Sequence, residues 1–593
     1  MRRSARQEVL SFETKDARLD HPYLKTQLIA YIGNKRSLLP LLYRVFGRLL
    51  RGGGQGRDRH SHTLTPVFLD PFAGSGSVSR LARFLGCRVL ANDWEYYSYV
   101  LNYAHLGIGQ SEALDLFPDH GGPGGILEQL NALGEPAEKD RYISRHYAPA
   151  STDTADYRRE RLFYTRENAL IIDAVRSRIE ALYPGSAGGQ GEAFLKEKML
   201  LLASVLYQCA THTNTSGVFK ACHKGFGGHS GDALGRILNP IRLQMPVLID
   251  SPEYAEVGCE NAVDFVRSRT ADLCYLDPPY NQHQYGSNYH LLNTIALWDR
   301  PEVSNELRGD GRLIHKAGIR RDWIRTRSSF CYRRSAAEAF RRLLEGIDAR
   351  HIVLSYNTEG IIPFEELVEL MGSQGRVELH GNEYVMYRGG RQSLSRQVHN
   401  LELVLVLDRS ASTSPADRRR LERAVLANRL AVMLKRSFCP GKVRSLFSLP
   451  AGRQDSLPVT LGGKIVPLPM PQLYRFAPQA AALLLAQADR CEPAELRRLL
   501  QGLGACELTD SRQEILALLE ILEAGRQTPR DGAALQKRIL RLLRKFAHRK
   551  YRDAFEQTLA ELRALGRRDP ELFAPLNRGL GEVEELARAR FAG

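Results

Sequence analysis

V-F-L-D-P-F-A-G-S-G-S-V-S-R-L-A-R-F-L, Val67 to Leu85, joins a short apolar run to a run with helical periodicity through a glycine turn. V-F-L-D is the pattern of a buried strand, and the stretch after Gly76 repeats its apolar residues at helical spacing. Glycine lets the backbone approach a ligand closely, and a helix amino terminus offers unpaired N–H groups to an anion. The turn lacks the G-K-[ST] ending of a phosphate loop, so nucleotide hydrolysis is not indicated. A carboxylate, such as that of a bound amino acid, serves as well as a phosphate.

The same strand–helix rhythm extends outward. C-R-V-L-A-N-D ends a second strand at Asp93, D-L-C-Y-L-D forms a third, H-I-V-L-S-Y-N from His351 a fourth, and N-L-E-L-V-L-V-L-D up to Asp408 a fifth. Apolar strands alternating with helices predict an α/β fold whose mostly parallel sheet is covered on both faces. Asp93 at a strand end can accept both hydroxyls of a ribose. A carboxylate and a ribose together suggest S-adenosylmethionine as the ligand.

Asp277-Pro278-Pro279-Tyr280 leaves the strand D-L-C-Y-L at the end where an open parallel sheet forms its crevice. Two prolines stiffen the turn and fix where its side chain and carbonyl point. An acid and a backbone carbonyl held side by side can accept two hydrogen bonds from one NH2 group. Tyr280 can stack on the flat ring that carries it. Such a corner places an amine in line with an electrophile, and most of its rate would come from positioning.

The chain has 593 residues, 43% hydrophobic and 25% charged, enough for two or three soluble domains. No apolar run reaches membrane-spanning length, and M-R-R-S-A-R-Q-E lacks the features of a secretory signal. Nine scattered cysteines without a C-x-x-C pair point to reduced thiols, a cytoplasmic protein and no zinc ribbon. His212 and His229 have no spaced ligand partners, so no metal is expected. With 83 Lys and Arg against 67 acids, the formal charge is +16, which favours a polyanionic partner. The segment from Ser151 to Asp250 interrupts the strand–helix rhythm. Past Ser410 the composition shifts to Leu, Ala and Arg in helical repeats.

The ordered set Y-I-G-N-K-R-S-L-L, D-P-F-A-G-S-G, A-N-D and Y-L-D-P-P-Y resembles the D12 class of DNA adenine-N6 methyltransferases, over roughly Leu24 to Asp408. The resemblance implies a Rossmann-like methyltransferase sheet split by a target-recognition insertion. Its first part would be 24–150, the insertion 151–250 and the catalytic part 251–409. A basic helical domain, 410–593, would be an addition to the minimal enzyme. It implies that Tyr31, Gly33 and Lys35 contact S-adenosylmethionine, Lys35 near its carboxylate. Asp70, Phe72, Gly74 and Gly76 would shape the pocket, and Asp93 would hold the ribose. Asp264 and Phe265, in E-N-A-V-D-F, stand where the class contacts the cofactor adenine. Asp277, Pro278, Pro279 and Tyr280 would hold the target adenine, with Asn357 beside a further strand. A cognate restriction endonuclease encoded separately is the implied partner in a restriction–modification or other self-marking role.

A base paired in duplex DNA must be flipped out before its amine can react. Lys220, His223 and Lys224, near Phe219 and Phe226, suit phosphate and base contacts. Tyr285, Tyr289 and His290 could close over the base, or pack in the core. Arg320, Arg321, Arg325 and Arg327 in I-R-R-D-W-I-R-T-R form a candidate phosphate track. From residues alone, cytosine N4 in DNA, adenine in RNA, and a non-catalytic nucleic-acid-binding role stay open.

Overall fold

A computed structural model describes residues 17–52, 65–185, 191–228, 231–357, 360–380, 402–434, 436–448, 456–461, 463–469, 474–476, 486–488, 490–508, 510–523, 529–547, 551–571 and 573–592. The chain forms two compact units, Met1–Ser414 and Pro415–Gly593.

The first unit is built on a sheet of seven strands: β1 (Val67–Asp70), β2 (Arg88–Asn92), β3 (Glu256–Gly258), β4 (Thr270–Leu276), β5 (Asp348–Asn357), β6 (Arg376–His380) and β7 (Glu402–Asp408). Their order is β3-β2-β1-β4-β5-β7-β6. β1 to β5 run parallel to one another, while β7 runs antiparallel between β5 and β6. Five strands lie where the apolar runs predict them. β3 and β6 escape such a prediction because each is a short edge strand with few fully buried residues.

Strand order reverses between β1 and β4, where Leu69 pairs with Cys274. Connections from these two strands leave in opposite directions and open a crevice at their carboxyl ends. Those ends are Asp70, before the glycine turn, and Leu276, before D-P-P-Y. The topology therefore brings together two motifs about 200 residues apart in sequence.

One face of the sheet is covered by a core that includes Leu42, Phe46, Phe68, Leu81, Tyr275 and Val406. Helices Tyr96–Leu106, Arg166–Leu182, Glu192–His212 and His290–Leu297 share a second apolar cluster, which contains no strand residue. The long helix Glu192–His212 buries residues all round its axis, so it is a core element and not a surface one. The helices of residues 151–250 thus pack, through Glu192–His212, on helix Tyr96–Leu106.

Arg80, on helix Ser77–Phe84, is almost fully buried, and its guanidinium donates to the carbonyls of Tyr23 (3.2 Å), Thr26 (3.1 Å) and Gln27 (3.3 Å). Burial lowers its pKa to about 10. A buried cation capped by three carbonyls ties the segment leading to Tyr31 onto the helix that follows the glycine turn.

The second unit is mainly helical and also carries a hairpin, Ser456–Leu461 with Lys464–Pro469, that its composition does not suggest. It has two apolar clusters, one around Leu430, Phe438 and Leu503, the other around Leu518, Leu543, Leu562 and Val583. No helix of the described residues is long and apolar enough to cross a membrane.

Candidate active site

The glycine turn is built by its positive-φ residues. Gly74 (φ 53°) and Gly76 (φ 78°) adopt left-handed conformations that L side chains avoid. A Cβ on Gly74 would lie 2.9 Å from the Tyr31 ring, and one on Gly76 would lie 2.7 Å from Asn102 Oδ1. The Gly74 peptide is held on both sides. Its N–H donates to Asp93 Oδ2 (2.9 Å), and its carbonyl accepts from Ser98 Oγ (2.6 Å) and Asn102 Nδ2 (3.2 Å). Asp93 Oδ1 accepts from the Glu95 N–H at 2.9 Å. The Ser98 hydroxyl and the Trp94 N–H also bond to Asp93.

Asp70 lies beneath this turn, almost fully buried, accepting from the Phe72 N–H (3.3 Å) and from Ser79 Oγ (2.6 Å). Burial raises its pKa to about 7 despite those bonds, and the neighbouring Asp277 and Asp93 add to the rise. Phe72 meets Phe330 edge to face, ring centroids 5.4 Å apart.

Tyr31–Asn34 form a turn closed by the Asn34 N–H on the Tyr31 carbonyl (3.2 Å), with Gly33 at φ 77° in the position where a type II turn requires it. Beyond the turn, Lys35 reaches back. Its ammonium donates to the Gly33 carbonyl (2.7 Å), pairs with Asp277 Oδ1 (2.9 Å) and lies 5.5 Å from the Tyr280 ring centroid. Lys35 is 3% exposed and Asp277 is 19% exposed, so the pair is shielded on the lysine side and open on the acid side. The Tyr280 hydroxyl lies against Gly33, where an added Cβ would meet it at 3.4 Å.

The D-P-P-Y turn is braced from β5 and from the segment that follows it. The Ile361 N–H donates to the Tyr280 carbonyl (2.9 Å), and the Tyr280 ring meets Tyr356 edge to face at 6.0 Å. No described residue donates to the Pro278 carbonyl. Tyr31, Gly33, Lys35, Asp70, Phe72, Gly74, Gly76, Asp93, Asp277, Pro278, Pro279 and Tyr280 thus converge on the carboxyl ends of β1, β2 and β4.

The other candidate residues have varied surroundings. Phe265 is buried against β3, where a Cβ on Gly258 would strike its ring at 2.7 Å, and the Arg269 guanidinium covers it at 3.7 Å. Asp264 is exposed on the same helix and pairs with Arg267 (3.4 Å). Tyr285 stacks on Tyr31 (5.3 Å) and donates from its hydroxyl to the Ile32 carbonyl (3.2 Å). Tyr289 and His290 are fully buried core groups. Tyr289 stacks on Tyr31 at 5.0 Å, and His290 contacts the Phe219 carbonyl through Nε2 at 3.0 Å. Burial lowers the His290 pKa to about 3, so it stays neutral. Closure of these two over an extruded base is therefore ruled out.

The arginine track also needs correction. Arg320 is buried, bidentate on Asp322 (2.6 and 2.8 Å) and paired with Asp299, so it is not available to a phosphate. Arg321, Arg325 and Arg327 are exposed on the short helix Arg321–Thr326 and its exit, with Arg327 over the Trp323 ring at 4.8 Å. Lys220 and Lys224 are exposed, and Lys224 lies 5.6 Å from the Tyr157 ring centroid. The His223 N–H donates to the Asn214 carbonyl (3.0 Å). His212 Nδ1 contacts its own helix at the Gln208 carbonyl (2.9 Å), and His229 lies outside the described residues. Among the described residues no three His, Cys, Asp or Glu side chains gather as a metal site.

Glu95 is the group that the motifs do not reveal. It is buried, accepts from Asn293 Nδ2, and its pKa is raised by burial to about 7. Glu95 Oε1 and Thr326 Oγ1 both crowd Gly286, so the acid connects the end of β2 to the arginine-bearing segment. Gln284 fastens the other end of that segment through the Ser328 N–H (2.9 Å) and carbonyl (3.3 Å). Only its position two residues after Asp93 hints at Glu95.

Comparison with known proteins agrees with this geometry. Residues 31–310 match the model of the D12 class N6 adenine-specific DNA methyltransferases. The chain is 31% identical over 333 residues to the type II methyltransferase M.NlaIII of Neisseria lactamica, covering 56% of this chain and 86% of that protein. It is 27% identical over 355 residues to M.CviAII of Paramecium bursaria Chlorella virus 1, covering 59% of this chain and 90% of that one. With the modification methylase LlaI of Lactococcus lactis it shares 30% over 385 residues, 63% of this chain but 54% of the relative. A crevice framed by D-P-F-A-G-S-G and D-P-P-Y, in a chain that matches nearly the whole of two such enzymes, belongs to the D12 class of N6 adenine-specific DNA methyltransferases.

Proposed function

We propose that the chain is an S-adenosylmethionine-dependent modification methylase that methylates N6 of an adenine flipped out of duplex DNA. S-adenosylmethionine would supply the electrophilic methyl group on its sulfonium. The positive-φ glycines at the end of β1 leave backbone without Cβ atoms along one wall, and Asp93 presents a half-buried carboxylate at the end of β2. Both fit an aminoacyl group and a ribose. The names of the relatives, type II methyltransferases and modification methylases, support a restriction–modification role with a separate endonuclease as partner.

The observation that carries the catalytic reading is the placement of Asp277. Its carboxylate, the Pro278 carbonyl and the Tyr280 ring occupy one corner, with the Lys35 ammonium fixed on Oδ1. The carboxylate and the carbonyl would accept the two N6 protons and direct the nitrogen lone pair across the crevice. As nitrogen takes the methyl group, the methyl–sulfur bonding pair would stay on the departing thioether, the two acceptors would stabilise the charge gained by nitrogen, and one N6 proton would pass by way of Asp277 to solvent. Lys35 orients Asp277 and sits between the cofactor side and the adenine side of the crevice. Residues 151–250 would serve target recognition, with Lys220, His223, Lys224 and Arg325 at the DNA backbone.

The experiment is methyl transfer from radiolabelled S-adenosylmethionine to genomic DNA, followed by nucleoside digestion. Label is expected in N6-methyldeoxyadenosine. Label in N4-methyldeoxycytidine, or in RNA alone, would overturn the proposal.

A further inference from the structure

The charge of this protein is unevenly distributed. Residues 415–593 hold 32 Lys and Arg against 20 Asp and Glu, a surplus of 12, while residues 1–414 hold 51 against 47, a surplus of 4. The unit without the catalytic motifs therefore carries most of the net +16.

Most arginines with a defined partner in this second unit are neutralised within it. Arg436 pairs with Glu507, Arg538 with Glu514, Arg544 with Glu582, Arg552 with Glu556 and Arg563 with Glu584. Other cations of the unit, Arg418, Arg567 and Arg568 among them, have no ion pair among the described residues, and three more form a stripe along one helix. Lys537, Arg541 and Lys545 lie four residues apart on helix Pro529–Phe546, all exposed, and none has an ion pair among the described residues. The opposite face, with Ile539, Leu542 and Leu543, is buried in the unit's own core. The stripe ends at an aromatic pair in which Phe546 stacks on Tyr551 (5.4 Å, 16°), and Tyr551 is 45% exposed.

We propose that this stripe is a second, sequence-independent contact to the phosphate backbone of duplex DNA, carried by the unit that lacks the methyl-transfer crevice. Positions four apart cover about 12 Å of helix. Phosphates of one strand recur about every 3.4 Å of duplex axis, so three cations at this spacing can each meet a phosphate. A row of cations without ion pairs, ending in an exposed ring, suits a phosphodiester backbone, in which every unit of the chain carries a charge. The inference does not depend on which base is methylated.

The test uses the full chain and a G·C-only duplex, which contains no adenine to methylate. Binding is titrated against salt for the parent and for a Lys537→Gln, Arg541→Gln, Lys545→Gln variant. The expected result is a log K against log [salt] slope flatter by about 2.7, three contacts at about 0.9 each. The set Lys537→Arg, Arg541→Lys, Lys545→Arg should keep the parent slope, which a folding defect at these positions would not allow. A slope unchanged in the glutamine variant overturns the proposal. So does an equal flattening from Arg567→Gln, Arg568→Gln, Arg578→Gln, which removes the same charge elsewhere on the unit. A change seen with duplex RNA and not with DNA overturns it as well. If the methylation product proves different from N6-methyladenine, these binding results stand unaffected.

Discussion

Lys35 and Asp277 form a pair whose two members sit in different surroundings, and that decides how the acid should be tested. Removing one partner of a buried ion pair leaves the other charge uncompensated, at a cost of about 3–5 kcal/mol. Asp277→Ala would strand an almost fully buried ammonium, so lost activity could reflect lost structure. Asp277→Asn keeps an oxygen toward Lys35 and removes the charge. We expect kcat to fall by about 10²–10³, the range for losing one electrostatic stabiliser of a transition state. Cofactor affinity by calorimetry should stay near the parent value. Retained turnover would remove Asp277 from the chemistry. Asp70 gives a second test at this scale. Its carboxyl is raised by burial from the ordinary range to about 7, so the folded state binds a proton between about pH 4 and pH 7 that the unfolded chain has released. Its contribution to stability is therefore complete below about pH 4 and is lost as pH rises to about 7. Asp70→Asn escapes that loss. Its melting temperature should gain on the parent as pH goes from 5 to 8, by the equivalent of a few kcal/mol at most, since each tenfold change in proton affinity is worth about 1.4 kcal/mol. Parallel melting curves at both pH values would show that the buried acid carries no such cost.

Among the elements, the glycine turn is legible in the sequence and the buried anchors of the arginine-bearing segment are not. Glycines between an apolar strand and an amphipathic helix have few structural meanings, and both Gly74 and Gly76 take the conformation that only glycine adopts cheaply. D-P-P-Y is legible for the same reason, because two prolines after a buried strand restrict the backbone before any tertiary contact forms. Arg320 reads as a surface cation because an arginine's partner is not written beside it. Asp322 is two residues away, but Asp299 comes from another part of the chain. Glu95 and Arg80 give no signal because a buried charge and a surface charge look alike in sequence. The segment Arg321–Thr326 shows what this hides. Arg320 and Glu95 anchor it from below, while Ile324 (52% exposed) and three arginines face outward. The sharpest test of an element remains Gly74→Ala. The left-handed φ and the 2.9 Å approach to Tyr31 leave no room for a methyl group. Tyr31 or the turn must move, so affinity for S-adenosylmethionine should fall by about tenfold or more, an energy of about 1–2 kcal/mol for an L residue in this conformation. Calorimetry showing unchanged affinity would place the cofactor away from this turn.

At the scale of the whole molecule, every group assigned to methyl transfer lies before Ser414, and the apolar clusters of each unit are drawn from that unit alone. The change of composition near this point is visible in the sequence because Leu, Ala and Arg in helical repeats differ from alternating strands and helices. That the first unit is nearly neutral is not visible there, since net charge is a property of the boundary chosen. These facts separate two roles that a single turnover assay would mix. A chain ended at Ser414 keeps the whole sheet, both apolar clusters of the first unit and the Lys35–Asp277–Tyr280 corner. It should melt cooperatively and retain kcat on saturating DNA within about twofold, because no interaction made in the transition state has been removed. Its KM for DNA should rise instead, more steeply at about 200 mM than at about 50 mM salt, because cations that release counterions have gone while the nearly neutral frame remains. A truncated chain that folds but loses kcat in proportion to KM would mean that the second unit acts on the reacting complex itself and not on the grip of DNA.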